Sequence, residues 1–141
     1  MTLRRKSREF ALQMLFQWDM TRQMPAQIEK TFWRTARAAE STRKFANELF
    51  GGAVAEAEAI DKLLQKHAKN WKLDRMAAID RSILRLAIFE FRLGDAPPKV
   101  VLNEALELAK IFSSDEAGPF LNGVLDAILR ASVDSVPERG A

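Results

Sequence analysis

Few side chains here are of the kinds that make or break bonds. His67, in the run KHAK, is the single histidine among 141 residues, and cysteine is absent. Zinc centres draw several imidazole or thiolate ligands to one ion, so no metal site is expected. Without thiols there is no disulfide framework either, which fits a reducing cytoplasm. Two carboxylate pairs, Glu58 with Asp61 and Glu104 with Glu107, stand at ordinary helical spacing. They read as solvated faces rather than as an acid–base couple. Gly51-Gly52 lacks the surrounding GxxxxGK[ST] pattern of a phosphate loop, so it reads as close helix packing or a kink. Nothing suggests a strained nucleophile turn. The expectation is a protein with no catalytic residues, no metal and no cofactor.

Binding is the alternative, and charge shows where. The stretch LRRKSREF places Arg4, Arg5, Lys6 and Arg8 ahead of the first acid, Glu9. The formal net charge is +3 and residues 1–8 contribute +4, so the rest of the chain sums to −1. These cations open a helix, whose N-terminal N–H groups prefer anions, at a penalty of a few tenths of a kcal/mol each. Phosphates of a nucleic acid would turn that mismatch into attraction. The pattern is neither a helix-turn-helix nor a long basic helix joined to heptads.

The elements that must position these cations are helical throughout, with no period-two runs and no Asn-Gly or Asp-Gly hairpins. Helices are expected over about 3–20, 25–39, 42–68, 75–93 and 98–112, with a sixth following Ser113–Pro119 and running to about 131, with Pro25 and Pro98 near helix starts and Gly94 closing the fourth. Short connections imply antiparallel neighbours in a bundle. A single domain over 1–131 and a frayed tail over 132–141 are expected. No run approaches the roughly 18 apolar residues of a membrane span. Gln13, Gln17 and Asp19 interrupt the apolar run after the cations, so no signal peptide is expected.

In the first helix Phe10, Ala11, Met14, Leu15 and Trp18 share an arc of about 140°. Phe16 falls on the far side with Glu9, Leu12 and Met20, which marks either a second interface or a helix buried on both sides. In the fourth helix Met76, Ile79, Ile83, Leu86 and Leu93 form one face, and Arg81, Arg85 and Arg92 form a polar stripe. Glu90 falls inside the apolar arc, so it should pair with an arginine or a helix N-terminus.

Two blocks, DRMAAIDRSILRLAIFE and PPKVVLNEALELAKIFSSDEAGPFLNGVLDAIL, together with the opening RRKSREFALQMLFQW, resemble the NusB family of transcription antitermination factors over residues 3–131. The resemblance implies an all-α fold of two packed three-helix bundles. It implies pairing with the small-subunit ribosomal protein NusE, joint binding of the single-stranded boxA element of nascent RNA, and support of the RNA polymerase antitermination complex, with no membrane involved. Carried over by position, Arg4, Arg5, Lys6, Arg8, Glu116 and Phe120 are implied at the RNA. Phe16, Asp74 and Asp80 are implied at NusE. Phe16 stands where some relatives carry Tyr, so it brings no hydroxyl. Lys6 stands where an Arg is found, which removes the bidentate fork. Two other readings are an RNA-guiding helical module like that preceding some ribosomal RNA cytosine methyltransferases, and a helical scaffold without RNA.

Overall fold

A computed structural model of the chain describes residues 2–68 and 75–135, with side chains over 4–68 and 75–131. Seven helices are seen there: α1 (Thr2–Thr21), α2 (Pro25–Thr35), α3 (Glu40–Ala55), α4 (Ala57–His67), α5 (Ala78–Leu93), α6 (Pro98–Phe112) and α7 (Ala117–Ser135). The helix start and stop signals act as expected. Pro25 and Pro98 occupy first-turn positions, and Gly94 closes α5 in the left-handed region at φ +71°, where a Cβ would be strained.

α1 and α5 form the axis. They run antiparallel, because Arg8 near the start of α1 pairs with Glu90 near the end of α5, while Asp19 near the end of α1 pairs with Arg81 and Arg85. Between these clamps Leu12, Leu15, Ile83 and Leu86 are buried. α2 and α3 pack on α1, and α4, α6 and α7 pack on α5. Of the two three-helix bundles implied by the resemblance, α1–α3 has the expected three helices, whereas α4–α7 has four because the expected third helix is split; α5 also packs against α1 and α3.

The long third helix expected over 42–68 is two. α3 packs on α1 and α5, whereas α4 packs on α5 and α7. The chain leaves helical geometry at Glu56 (φ −103°, ψ 11°) to change partners. Nothing in the run AVAEAEAI announces this, because the buried positions keep helical spacing across the break (Leu49, Phe50, Ala53, Ala57, Ile60, Leu64). The glycines do not cause the break. Gly52 instead admits Phe89: a Cβ there would lie 2.1 Å from that ring's Cζ.

α5 differs from its reading as a two-faced helix. Every residue from Ser82 to Glu90 is buried, including Arg85 at 2% exposure. Its arginine stripe is therefore not solvated, except for Arg92, which pairs with Glu56 at 2.8 Å. α2 is shorter than expected, ending at Thr35 where Ala36 turns extended. α7 continues to Ser135, into the segment expected as a frayed tail.

Candidate nucleic-acid and protein interfaces

The helix that begins α1 has no acid in its first turn, and the fold brings acids to it from elsewhere. Arg4 donates to Asp95 at 2.6 Å and lies 4.0 Å from the centre of the Phe45 ring. Arg5 forks onto Glu104 at 3.0 and 2.8 Å. Lys6 lies 3.7 Å from Glu9. The hydrogen bonds and charge of Glu104 hold the Arg5 guanidinium above its ordinary pKa. Arg5 in turn draws the Glu104 carboxyl below the usual range, against the opposing effect of burial. The electrostatic mismatch seen in the sequence is thus compensated within the protein.

Arg8 is placed differently from its three neighbours. It was expected beside Arg4, Arg5 and Lys6 as a nucleic-acid contact, but it is buried at 4% exposure. It forks onto Glu90 at 2.6 and 2.9 Å, with Glu104 3.9 Å away. Burial disfavours its charge, yet the hydrogen bonds and attraction of Glu90 prevail and raise its pKa. The reason is helical geometry. Four residues after Arg4, Arg8 sits one turn further in, on the face of α1 that meets α5. Glu90 has the arginine partner expected of a buried carboxylate. The surface-facing cations of this end are Arg4, Arg5 and Lys6, with side chains 47%, 43% and 60% exposed.

At the other end of α1 lies an open groove of about 730 Å³, walled by Phe16, Met20, Phe32, Ile79 and Phe112 and edged by Gln13, Gln17 and Thr21. The far side of α1 is buried in one part and exposed in another. Leu12 is buried, while Phe16 and Met20 remain exposed at 39% and 62%. Asp80 follows the groove residue Ile79 and accepts a 2.6 Å hydrogen bond from Ser113, next to the groove residue Phe112. Phe16 thus lines the groove, and Asp80 does not line it but neighbours its wall through Ile79 and Ser113. Asp74 lies outside the described residues.

Glu116 and Phe120 do not line the groove. They flank the start of α7, Glu116 exposed and Phe120 half-buried against the core. A smaller cleft of about 340 Å³ opens beside them between α6 and α7, bordered by Lys110, Ser114, Asp115 and Asn122. Among the described residues, no group of three or more His, Asp or Glu side chains is placed to hold a metal ion.

Comparison with known proteins places this arrangement. The model of the NusB family matches residues 5–130. The chain belongs to the NusB family. The transcription antitermination protein NusB of Koribacter versatilis is 54% identical over 129 residues, covering 90% of this chain and 88% of that one. Antitermination factors NusB and NusE crystallised in complex with dsRNA provide a structural match at TM-score 0.84 and 30% identity, covering 93% of this chain and 98% of the matched one. The solution structure of Aquifex aeolicus NusB matches at TM-score 0.83 and 30% identity, over 99% and 95% of the two chains.

In this NusB-family chain, reading the sequence missed the charged cluster that fixes α1 against α4 and α5. Arg85 donates to Asp19 at 2.8 Å and to both oxygens of Asp61 at 2.9 Å, and Arg81 also reaches Asp19. Burial pushes the Asp19 carboxyl upward, but the two guanidiniums outweigh it and hold the pKa below the ordinary value. Asp61 and Glu104, expected on solvated faces, are acceptors for Arg85 and Arg5. The signal available was the spacing of Arg81 and Arg85, one turn apart on an otherwise apolar helix, which calls for carboxylates on its neighbours.

Proposed function

We propose that this chain is a non-catalytic transcription antitermination factor that binds boxA RNA jointly with NusE in the cytoplasm. The observation that carries this is the separation of two unlike surfaces on α1. One end presents Arg4, Arg5 and Lys6 to solvent, and the other supplies Phe16 and Met20 to an apolar groove. A single strand of RNA suits the first, and a protein segment with apolar side chains suits the second. The NusB and NusE proteins found in complex with dsRNA lend the reading their partners. No helix among the described residues is long and apolar enough to cross a membrane.

In this reading Phe16 and Asp80 face NusE, while Arg4, Arg5 and Lys6 meet phosphates. Glu116 and Phe120 extend the RNA surface at the start of α7, where a half-exposed ring can stack on a splayed base. Arg8 supports that surface from within and does not touch RNA.

The test is titration of a boxA strand and a scrambled strand, each with and without NusE. Replacing Arg4, Arg5 and Lys6 together by Gln should weaken boxA binding and leave the helical circular dichroism intact. If all three meet phosphates of a single strand, the log–log salt slope should shrink by about 2. An unchanged titration across salt would overturn the assignment of this end to RNA.

A further inference from the structure

The cations at the start of α1 are matched by carboxylates, so their field is partly cancelled. From α2 into α3 this is not so. Lys30, Arg34, Arg37, Arg43 and Lys44 are all exposed, and none makes an ion pair among the described residues. Residues 30–44 hold these five cations against one acid, Glu40, a local charge of +4. The uncompensated positive surface thus lies beside the arm rather than on it.

Aromatic rings are interleaved with these charges. Lys6 Nζ lies 5.7 Å from the centre of the Phe10 ring. Phe10 meets Trp33 edge-on with centres 5.2 Å apart, and Phe32 meets Trp33 likewise at 4.9 Å. The Arg43 guanidinium lies 5.3 Å from the Trp33 ring centre. Trp33 is held in place by its Nε1, which donates to Asn47 at 2.8 Å. Phe10 and Trp33 are both partly exposed. Lys6 belongs to the arm and also begins this series, so the two surfaces are continuous.

We propose that the Lys6–Phe10–Trp33–Arg43 strip, flanked by Lys30, is a second contact site for single-stranded RNA, taking nucleotides that flank the segment held by the arm. It rests on the RNA-binding reading and extends it. Phosphates meet Lys30 and Arg43, and a base shares the Trp33 ring that Arg43 already covers. An acidic protein segment would need only the cations. A fixed ring set among exposed cations is what a sequence-tolerant stacking platform for a single strand requires.

The test compares two RNAs on the full-length chain: a boxA-length strand, and the same strand extended on both sides by about eight unstructured nucleotides, within the span of a typical single-strand site. The extension should tighten binding to the unaltered protein by about fivefold or more, the lower end for one stacked base. The double variant Lys30→Gln/Arg43→Gln should lose that gain while keeping the short-strand affinity. Its salt slope with the long strand should fall by about 1.4, and that of Lys30→Gln alone by about 0.7. Both positions are exposed, so thermal melting should be unaltered. If the short strand binds and extension adds nothing, the inference fails alone. If the variant matches the unaltered protein on both strands, it also fails. Loss of polyglutamate binding with RNA binding intact would make the strip an acidic-protein surface and overturn it. Absence of binding to either RNA would overturn the parent reading and this one together.

Discussion

Arg5 and Glu104 form the pair on which residue-scale behaviour of the proposed RNA surface turns. Glu104 offers both oxygens in the planar fork that a phosphate would also offer. On the proposed reading, RNA has to compete with an internal carboxylate for the same guanidinium. Solvent reaches the Arg5 side of this pair and screens it, so the pair can exchange. Glu104→Gln should tighten boxA binding, by up to about fivefold for the release of one solvent-screened pair. Fluorescence anisotropy at fixed salt would read it. Weaker binding would mean that Glu104 positions Arg5 for RNA instead of withholding it. The sequence made the cations legible but not this competition. Arg5 and Glu104 stand 99 residues apart, and they meet because α1 and α6 both pack on α5.

At the scale of elements, α1 and α5 are joined by charged clamps at both ends of an apolar seam. The clamp at Asp19 is legible in its acid response. The Asp19 pKa is lower in the folded chain than in the unfolded one, because Arg81 and Arg85 outweigh burial. A depressed carboxylate stabilises the fold above its unfolded pKa, about 3.9, and that contribution is lost as pH falls through the folded value. Thermal melts should therefore be flat near neutrality and fall steeply below about pH 4. Asp19→Asn should reduce stability at neutral pH and flatten the acid slope; a variant as acid-sensitive as the parent would place the effect elsewhere. Helix boundaries at Pro25, Pro98 and Gly94 could be read from local chemistry, since one residue decides each. The break at Glu56 could not, because α4 turns there to reach α7, a partner 50 or more residues away. The burial of Arg8 and Arg85 escaped for the same reason: their carboxylates come from other helices.

For the whole molecule, the two proposed surfaces share one strut. Arg5 and Phe16 are eleven residues apart on α1, roughly 17 Å along its axis, and the buried Arg8–Glu90 pair lies between the cationic end and the groove. Sites this far apart with no shared partner should behave independently under substitution. Phe16→Glu places a charge in the groove wall at an exposed position, so it should abolish NusE capture in a pull-down. Titrated without NusE, it should leave RNA binding unchanged. The Arg4, Arg5 and Lys6 triple replacement should do the reverse. Asp80→Asn provides an intermediate step, removing charge beside the groove while keeping a group that can accept from Ser113; it should weaken NusE capture without changing RNA binding. If either surface's variants disturbed both partners, α1 would act as a coupled switch rather than as a rigid strut. The continuous burial of α5 from Ser82 to Glu90 argues for the strut: a helix packed on all sides has no second arrangement to move into without opening the core.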